Sequence, residues 1–249
     1  MCGELLILAN SVIRHTQADF RSTDRVQKRL RDEFRQIPDA DYFGGRRGGH
    51  EDVIRRLPNL LPADTCAQAL ANFHQDPVIA YHQKSEIWSS DALYSRYFSD
   101  DTHAEHIVMA YSLLKCVEAR KLYLRSIEIG RLTDPQRQQL ELLRLRGSSF
   151  LLSAAIAACL ETFAGRALPN RFRISFGTKV SPEAAQKLWE PIVDATISFC
   201  GQLEDALKGG LKRSEDASKA ILNFRSMVEA TKVPNAGIFE NFASYLKEA

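Results

Sequence analysis

Four basic residues stand between positions 165 and 180 with no acid among them: Arg166, Arg171, Arg173 and Lys179, interleaved with Phe172 and Phe176. Guanidinium groups neutralise phosphates while aromatic rings stack on unpaired bases, so this pairing suits single-stranded nucleic acid. The strict alternation from Arg171 to Phe176 favours another account. On a strand, Phe172, Ile174 and Phe176 share one face and turn to the core, and the arginines face water.

A second basic set, Arg46, Arg47 and His50, lies around two glycine pairs in residues 41–52. Backbone N–H groups freed by glycine can join two guanidinium groups in holding a phosphate. No Gly-Lys-Ser/Thr follows, so this is not the nucleotide-binding P-loop. The composition favours an exposed turn or hairpin over a helix. A third set, Asp19 and Arg21, flanks Phe20 just before a helix start. The helix dipole favours the acid there, and the arginine can reach a phosphate or a carboxylate. A capping and ion-pair cluster that fixes the turn is the favoured account of that set. Asp19, Arg21, Arg46, Arg47, His50, Arg171 and Arg173 are the candidate nucleic-acid contacts.

His103 and His106 stand three apart at a helix start and could face one metal ion, but spacing supplies no third ligand and the pattern is not His-Glu-x-x-His. No metal and no cofactor is expected. The chain shows no nucleophile elbow and no cysteine–histidine signature, so no catalytic residue is identified.

Hydrophobic residues make up 45% of the 249, enough to close a core, and charged residues 26%, with a net charge of +2 that implies no polyanion partner by itself. Five widely spaced cysteines fit neither a disulfide framework nor a zinc site and point to a reducing cytoplasm. The first nine residues have no basic region and no cleavage site of a secretory signal. The most apolar run, Phe150 to Leu160, is about half the ~20 residues that would span a bilayer, so a buried core helix and no membrane association are expected.

The elements that must position these residues are nearly all helical. Apolar spacing predicts a short helix over residues 4–13, one over 26–37 capped by Thr23 or Asp24, and shorter ones over 62–74, 77–82 and 91–98. Two long helices follow, His103 to Ile129 and a second from Thr133 to Gly165, with Gln136 at the capping-box position, forming an antiparallel hairpin whose far half is the centre of the core. Ser181 with Pro182 starts another helix to Leu207, Ser214 caps one reaching Thr231, and a last one covers 239–247. The fold class expected is mainly α, a multi-helix bundle with a central buried hairpin and at most a short strand or β-hairpin. It divides into residues 1–100, with the glycine- and arginine-rich loop, and a helical bundle over 101–249, packed as one unit.

Residues 9–34 resemble a recurring stretch of the AIPR (abortive phage infection/resistance) family, in which an Asn-Ser pair leads to an Asp-hydrophobic-Arg-Ser step and a Gln-Lys-Arg-Leu helix. Those positions here are Asn10, Ser11, Asp19, Phe20, Arg21, Ser22, Gln27, Lys28, Arg29 and Leu30. Tyr42, Phe43, Arg46, Arg47 and Gly48 are similar to the aromatic pair and basic turn that follow in the family, and a weaker similarity covers Leu61 to Phe98. Val12 and Ile13 stand where members carry polar residues, and the long upstream part with its Asn-Gly-x-Gln-Thr type motif has no counterpart. The resemblance implies a truncated or split member acting in bacterial antiphage defence. It would be a helical module that engages DNA or RNA, or that positions a protein partner carrying the missing half. A regulatory or scaffolding subunit that binds only protein is the alternative.

Overall fold

The structure, a computed structural model, describes residues 21–43, 59–177 and 179–248, within which the chain is mainly helical with only short strands. Helix α1 spans Arg25–Phe34 and starts where the Asp24 carboxylate accepts the Gln27 N–H at 2.9 Å, the expected cap. Leu30 and Phe34 bury as expected, Val26 packs half-buried against the core, and Gln27 is buried beside it. The helix stops at Phe34, three residues early, and Ile37 is buried from the turn that follows.

Strand β1, Asp41–Phe43, pairs in parallel with β2, Leu60–Pro62, placing Tyr42 opposite Leu61. A parallel ladder requires the connecting chain to cross back along the strands. Strands β1 and β2 are thus not the two arms of a β-hairpin; the glycine pairs, Arg46, Arg47 and His50, where an exposed turn or hairpin is expected, lie outside the described residues, as does Asp19.

Short helices α2 (Ala63–Phe73), α3 (Pro77–His82), α4 (Glu86–Ser89) and α5 (Asp91–Tyr97) lead to the long α6, Ala104–Ser126. A 3-10 turn at Ile129–Arg131 reverses the chain into α7, Asp134–Arg144, where Thr133 and Gln136 form the full capping box. The second arm of the expected hairpin is not one helix. Helix α7 ends at Arg144, where Leu145 turns extended (ψ 148°), and Gly147, left-handed at φ 78°, is the N-cap from which α8, Ser148–Ala158, begins. A Cβ on Gly147 would also come within 2.9 Å of the Leu211 side chain. Every residue of α8 except Phe150 is buried, and α9 (Leu160–Ala164) ends at Gly165, φ 63°.

Residues Arg171–Arg173 form a 3-10 turn rather than the first half of a strand, because the Asn170 side chain accepts the Phe172 N–H at 3.0 Å. Only Ile174–Ser175 is extended, as β3, antiparallel to β4 at Lys247–Glu248. Helix α10 (Pro182–Thr196) packs along α6. The Trp189 indole N–H there donates to the Met109 carbonyl at 3.1 Å, and Ser112 Oγ donates to the Pro182 carbonyl at 2.9 Å. A 3-10 segment at Ile197–Leu203, α11 (Glu204–Lys208), α12 (Ser214–Ala230) and α13 (Ala236–Ala243) complete the fold. One hydrophobic core runs from Leu30 to Leu246, across both expected halves. Among the described residues, no helix is long and apolar enough to cross a membrane.

Ile156 is fully enclosed in α8. Ile156→Asp should cost several kcal/mol, the penalty of an unpaired charge in a core, against about 1 kcal/mol for Ile156→Val. Urea unfolding checks both, and an Asp variant with an unchanged midpoint would show that the core is elsewhere.

Candidate functional site

Among the described residues that carry the resemblance, Arg21, Gln27, Arg29 and Tyr42 take part in a polar clasp. Arg21 Nε donates to the Trp88 carbonyl at 3.1 Å, its Nη2 bonds Asp91, and the guanidinium lies 4.7 Å from the Tyr94 ring. Gln27, buried, accepts from the Tyr42 hydroxyl at 2.7 Å and donates to the Tyr94 hydroxyl at 3.2 Å; burial raises the pKa of both phenols. Arg29 donates to Glu33 at 2.9 Å and to the carbonyls of Ser99 and Thr102 at 3.0 and 2.9 Å. Glu33 in turn accepts the Ala104 N–H at 2.8 Å and His103 Nδ1 at 3.2 Å, so a carboxylate on α1 satisfies the N-terminus of α6. Arg31 donates to the Ser22 carbonyl at 2.7 Å. These bonds fasten α1 to the chain from Trp88 to Ala104. Arg21 is thus held in an ion pair with Asp91; Asp19, the other member of that set, lies outside the described residues.

The basic stretch behaves differently from its expected face. Arg171 turns inward: its Nη2 donates to the Ala157 carbonyl, its guanidinium lies 5.8 Å from the Phe73 ring, and its Nε is buried with no hydrogen-bond partner among the described residues. Burial depresses its pKa. The 3-10 turn rotates these side chains out of the period-two pattern, which sends Arg171 inside and leaves Arg173 exposed. Arg166 donates to the Leu246 carbonyl at 3.3 Å and Lys179 bonds Gln36. The structure therefore gathers Arg21, Arg171 and Arg173 onto no common surface.

Beside Arg171 lies a pair of imidazoles that spacing gave no reason to join. His74 follows α2, and its ring stacks on Phe172 at 3.7 Å and 14°. His74 Nε2 and His106 Nε2 are 2.9 Å apart, and His106 Nδ1 is 3.2 Å from the Ile174 carbonyl. A carbonyl only accepts, so His106 carries its proton on Nδ1 and offers the Nε2 lone pair; His74 must then be the Nε2–H tautomer that donates. Burial pushes both imidazoles down, His106 to about 3, with Arg171 acting in the same direction on each. His103 points instead to Glu33, so His103 and His106 do not face one metal ion. Among the described residues, no three His, Cys, Asp or Glu side chains could hold a metal. Burial also raises the described thiols, Cys116 and Cys159 to about 12 and Cys200 to about 11, which leaves them protonated and poor nucleophiles.

The hairpin of α6 and α7 offers a different kind of surface. Leu122, Tyr123 and Ile129 near its turn are 63%, 52% and 65% exposed. Arg120, 5.1 Å from the Tyr123 ring and 3.2 Å from Asp194, borders a cleft of about 230 Å³ between α6 and α10 that also touches Cys116 and Glu190.

Removing Arg29 leaves Glu33 without its main cation and two loop carbonyls without donors. Arg29→Met should lower unfolding free energy by about 2 kcal/mol or more in urea titrations, given the strength of hydrogen bonds to charged groups; a change under about 0.5 kcal/mol would make the clasp ornamental. The histidine pair sets a pH dependence. Between the ordinary histidine pKa near 6.5 and the folded value near 3, the unfolded chain binds protons that the folded chain refuses. Stability is therefore complete above about pH 6.5 and falls as pH drops, by up to about 1.4 kcal/mol per pH unit for each histidine. Between pH 6.5 and 5, His74→Leu/His106→Leu should flatten that slope, and an equally steep slope would contradict the assignment.

No family model, curated protein or solved structure matches this chain.

Proposed function

We propose that the chain is an effector-positioning module of bacterial antiphage defence that holds a protein partner through the α6–α7 hairpin. The observation that carries the protein-binding part is the exposure of Leu122, Tyr123 and Ile129 around one turn, since contiguous apolar surface is concentrated where partners dock. The defence context rests on the resemblance of residues 9–34 and 42–48 to the AIPR family, as does the expectation that the partner carries the missing upstream half. The internal bonds of Arg21 and Arg171 weigh against these two as phosphate contacts. The nucleic-acid reading then rests on Arg46, Arg47 and His50, with Arg173 exposed beside a turn that Asn170 holds.

Phage plating on cells that express the chain with its neighbouring reading frame tests the proposal. Leu122→Ser/Ile129→Ser should abolish protection without unfolding the protein, since exposed positions cost under about 0.5 kcal/mol. Arg46→Ala/Arg47→Ala should leave protection intact. The reverse outcome, with binding to DNA or RNA at about 50 mM salt that the arginine variant weakens, would replace this reading with the nucleic-acid one.

A further inference from the structure

The chain between Gly165 and Gly177 is a strap held to the body by few contacts, most of them polar. Both glycines are left-handed, φ 63° and 68°, a backbone that glycine adopts without strain. Within residues 166–173 only Leu168 is buried, and the 3-10 turn Arg171–Arg173 is the only regular structure. A segment with so little apolar burial opens more readily than the helices it lies on. Phe176 is fixed beyond it, its ring centroid 6.0 Å from that of Trp189 and 6.1 Å from that of Phe242.

Two of the fastenings end on the histidine pair: the Phe172 ring stacks on His74, and the Ile174 carbonyl accepts from His106 Nδ1. One proton joins the two Nε2 atoms, and another placed on His106 Nε2 would set N–H against N–H at 2.9 Å. The charges that face the pair are positive: Arg171 from the strap, Arg96 from α5 and His103 from the start of α6. The acids nearby are engaged elsewhere. Asp76 accepts from the Tyr97 hydroxyl and pairs with Arg96, Glu33 holds Arg29 and His103, and Asp101 accepts from Asn170. Glu161 of α9 and Arg225 of α12 act on Arg171 with opposite sign. Among the described residues, no carboxylate bonds either ring of the pair.

We propose that residues 166–174 form an acid-released strap, fastened while His74 and His106 are both neutral and lifted when the two imidazoles take up protons. Lifting removes Phe172 from His74 and the Ile174 carbonyl from His106 and admits water to both rings. In the open state they titrate near the ordinary 6.5, and in the closed state both lie below it, His106 at about 3. The closed strap is therefore fully favoured above about pH 6.5. Below it, the ratio of open to closed rises by up to about tenfold per histidine for each pH unit. Release turns Arg171 and Phe172 out beside Arg173, which is exposed already.

Hydrogen exchange of the full chain at several pH values between about 6.5 and 5, corrected for the intrinsic rate, tests the strap. Its amides from Leu168 to Ile174 should be less protected than those of Leu151–Ala158 at every pH and indifferent to low urea, the mark of a local opening. Across that range they should lose protection by tenfold or more. His74→Gln, whose amide can still donate to His106 but does not titrate, should halve the logarithmic slope, and His74→Leu/His106→Leu should abolish it. Strap amides that match α8 in protection and urea dependence would mean that only global unfolding frees them, which overturns the proposal. A local opening independent of pH overturns it too, as does a slope unchanged in His74→Gln, the variant that decides if the double one fails to fold.

Discussion

Helix α8 has no polar side, and that constraint organises the molecule. An element apolar all round must be enclosed all round, and here α2, α3, α6, α7, α12 and the 3-10 segment before α11 surround it. Ala154, Ala155, Ala157 and Ala158 keep its surface low, so its neighbours approach closely, and Leu151, Leu152 and Ile156 fill the space between. Its serines cost little because they are satisfied at home: Ser153 donates to the Ser149 carbonyl and Ser148 to the Leu143 carbonyl, both at 2.7 Å. Asn72 reaches in from α2 to bond Ser153, which ties one wall of the enclosure to its centre.

Apolar enclosure is not directional, and polar interlocks decide which surfaces meet. Glu33 ties α1 to the start of α6, where its carboxylate meets Arg29, His103 and the Ala104 N–H together. The histidine pair does the same on another side, joining α2 to α6 and, through Phe172 and the Ile174 carbonyl, to the segment before α10. Arg171 closes this side by reaching the carbonyl of Ala157 near the end of α8. These interlocks consume much of the polar chemistry that sequence spacing brings to notice. The hairpin tip, where Leu122 and Ile129 are exposed, is one of the apolar surfaces left facing outward, as are Leu222 and Val233 elsewhere.

What could be read from the chain was local. The Thr133–Gln136 box, the Asp24 cap, the Ser181–Pro182 start and the apolar run through α8 are each determined within a few residues, and each stands in the structure. The break between Arg144 and Ser148 was hidden because an isolated glycine inside a helical pattern is tolerated and so does not by itself mark an end. Alternation around Arg171 was outweighed by one Asn170 hydrogen bond. His74 and His106 are 32 residues apart, Arg29 and Thr102 are 73, and no periodicity encodes such pairings. The polar positions that carry the family resemblance were visible as a motif, but their partners in Trp88–Ala104 could be known only from the fold.

Native-state hydrogen exchange tests most directly whether α8 is the centre on which the rest depends. The amides of Leu151–Ala158 should open only with global unfolding, those of the α6–α7 turn at Ser126–Arg131 should exchange by local fluctuation, and those of α12 should fall between, since one of its faces is exposed. Amides in α8 that exchange faster than those in α12 would contradict this account.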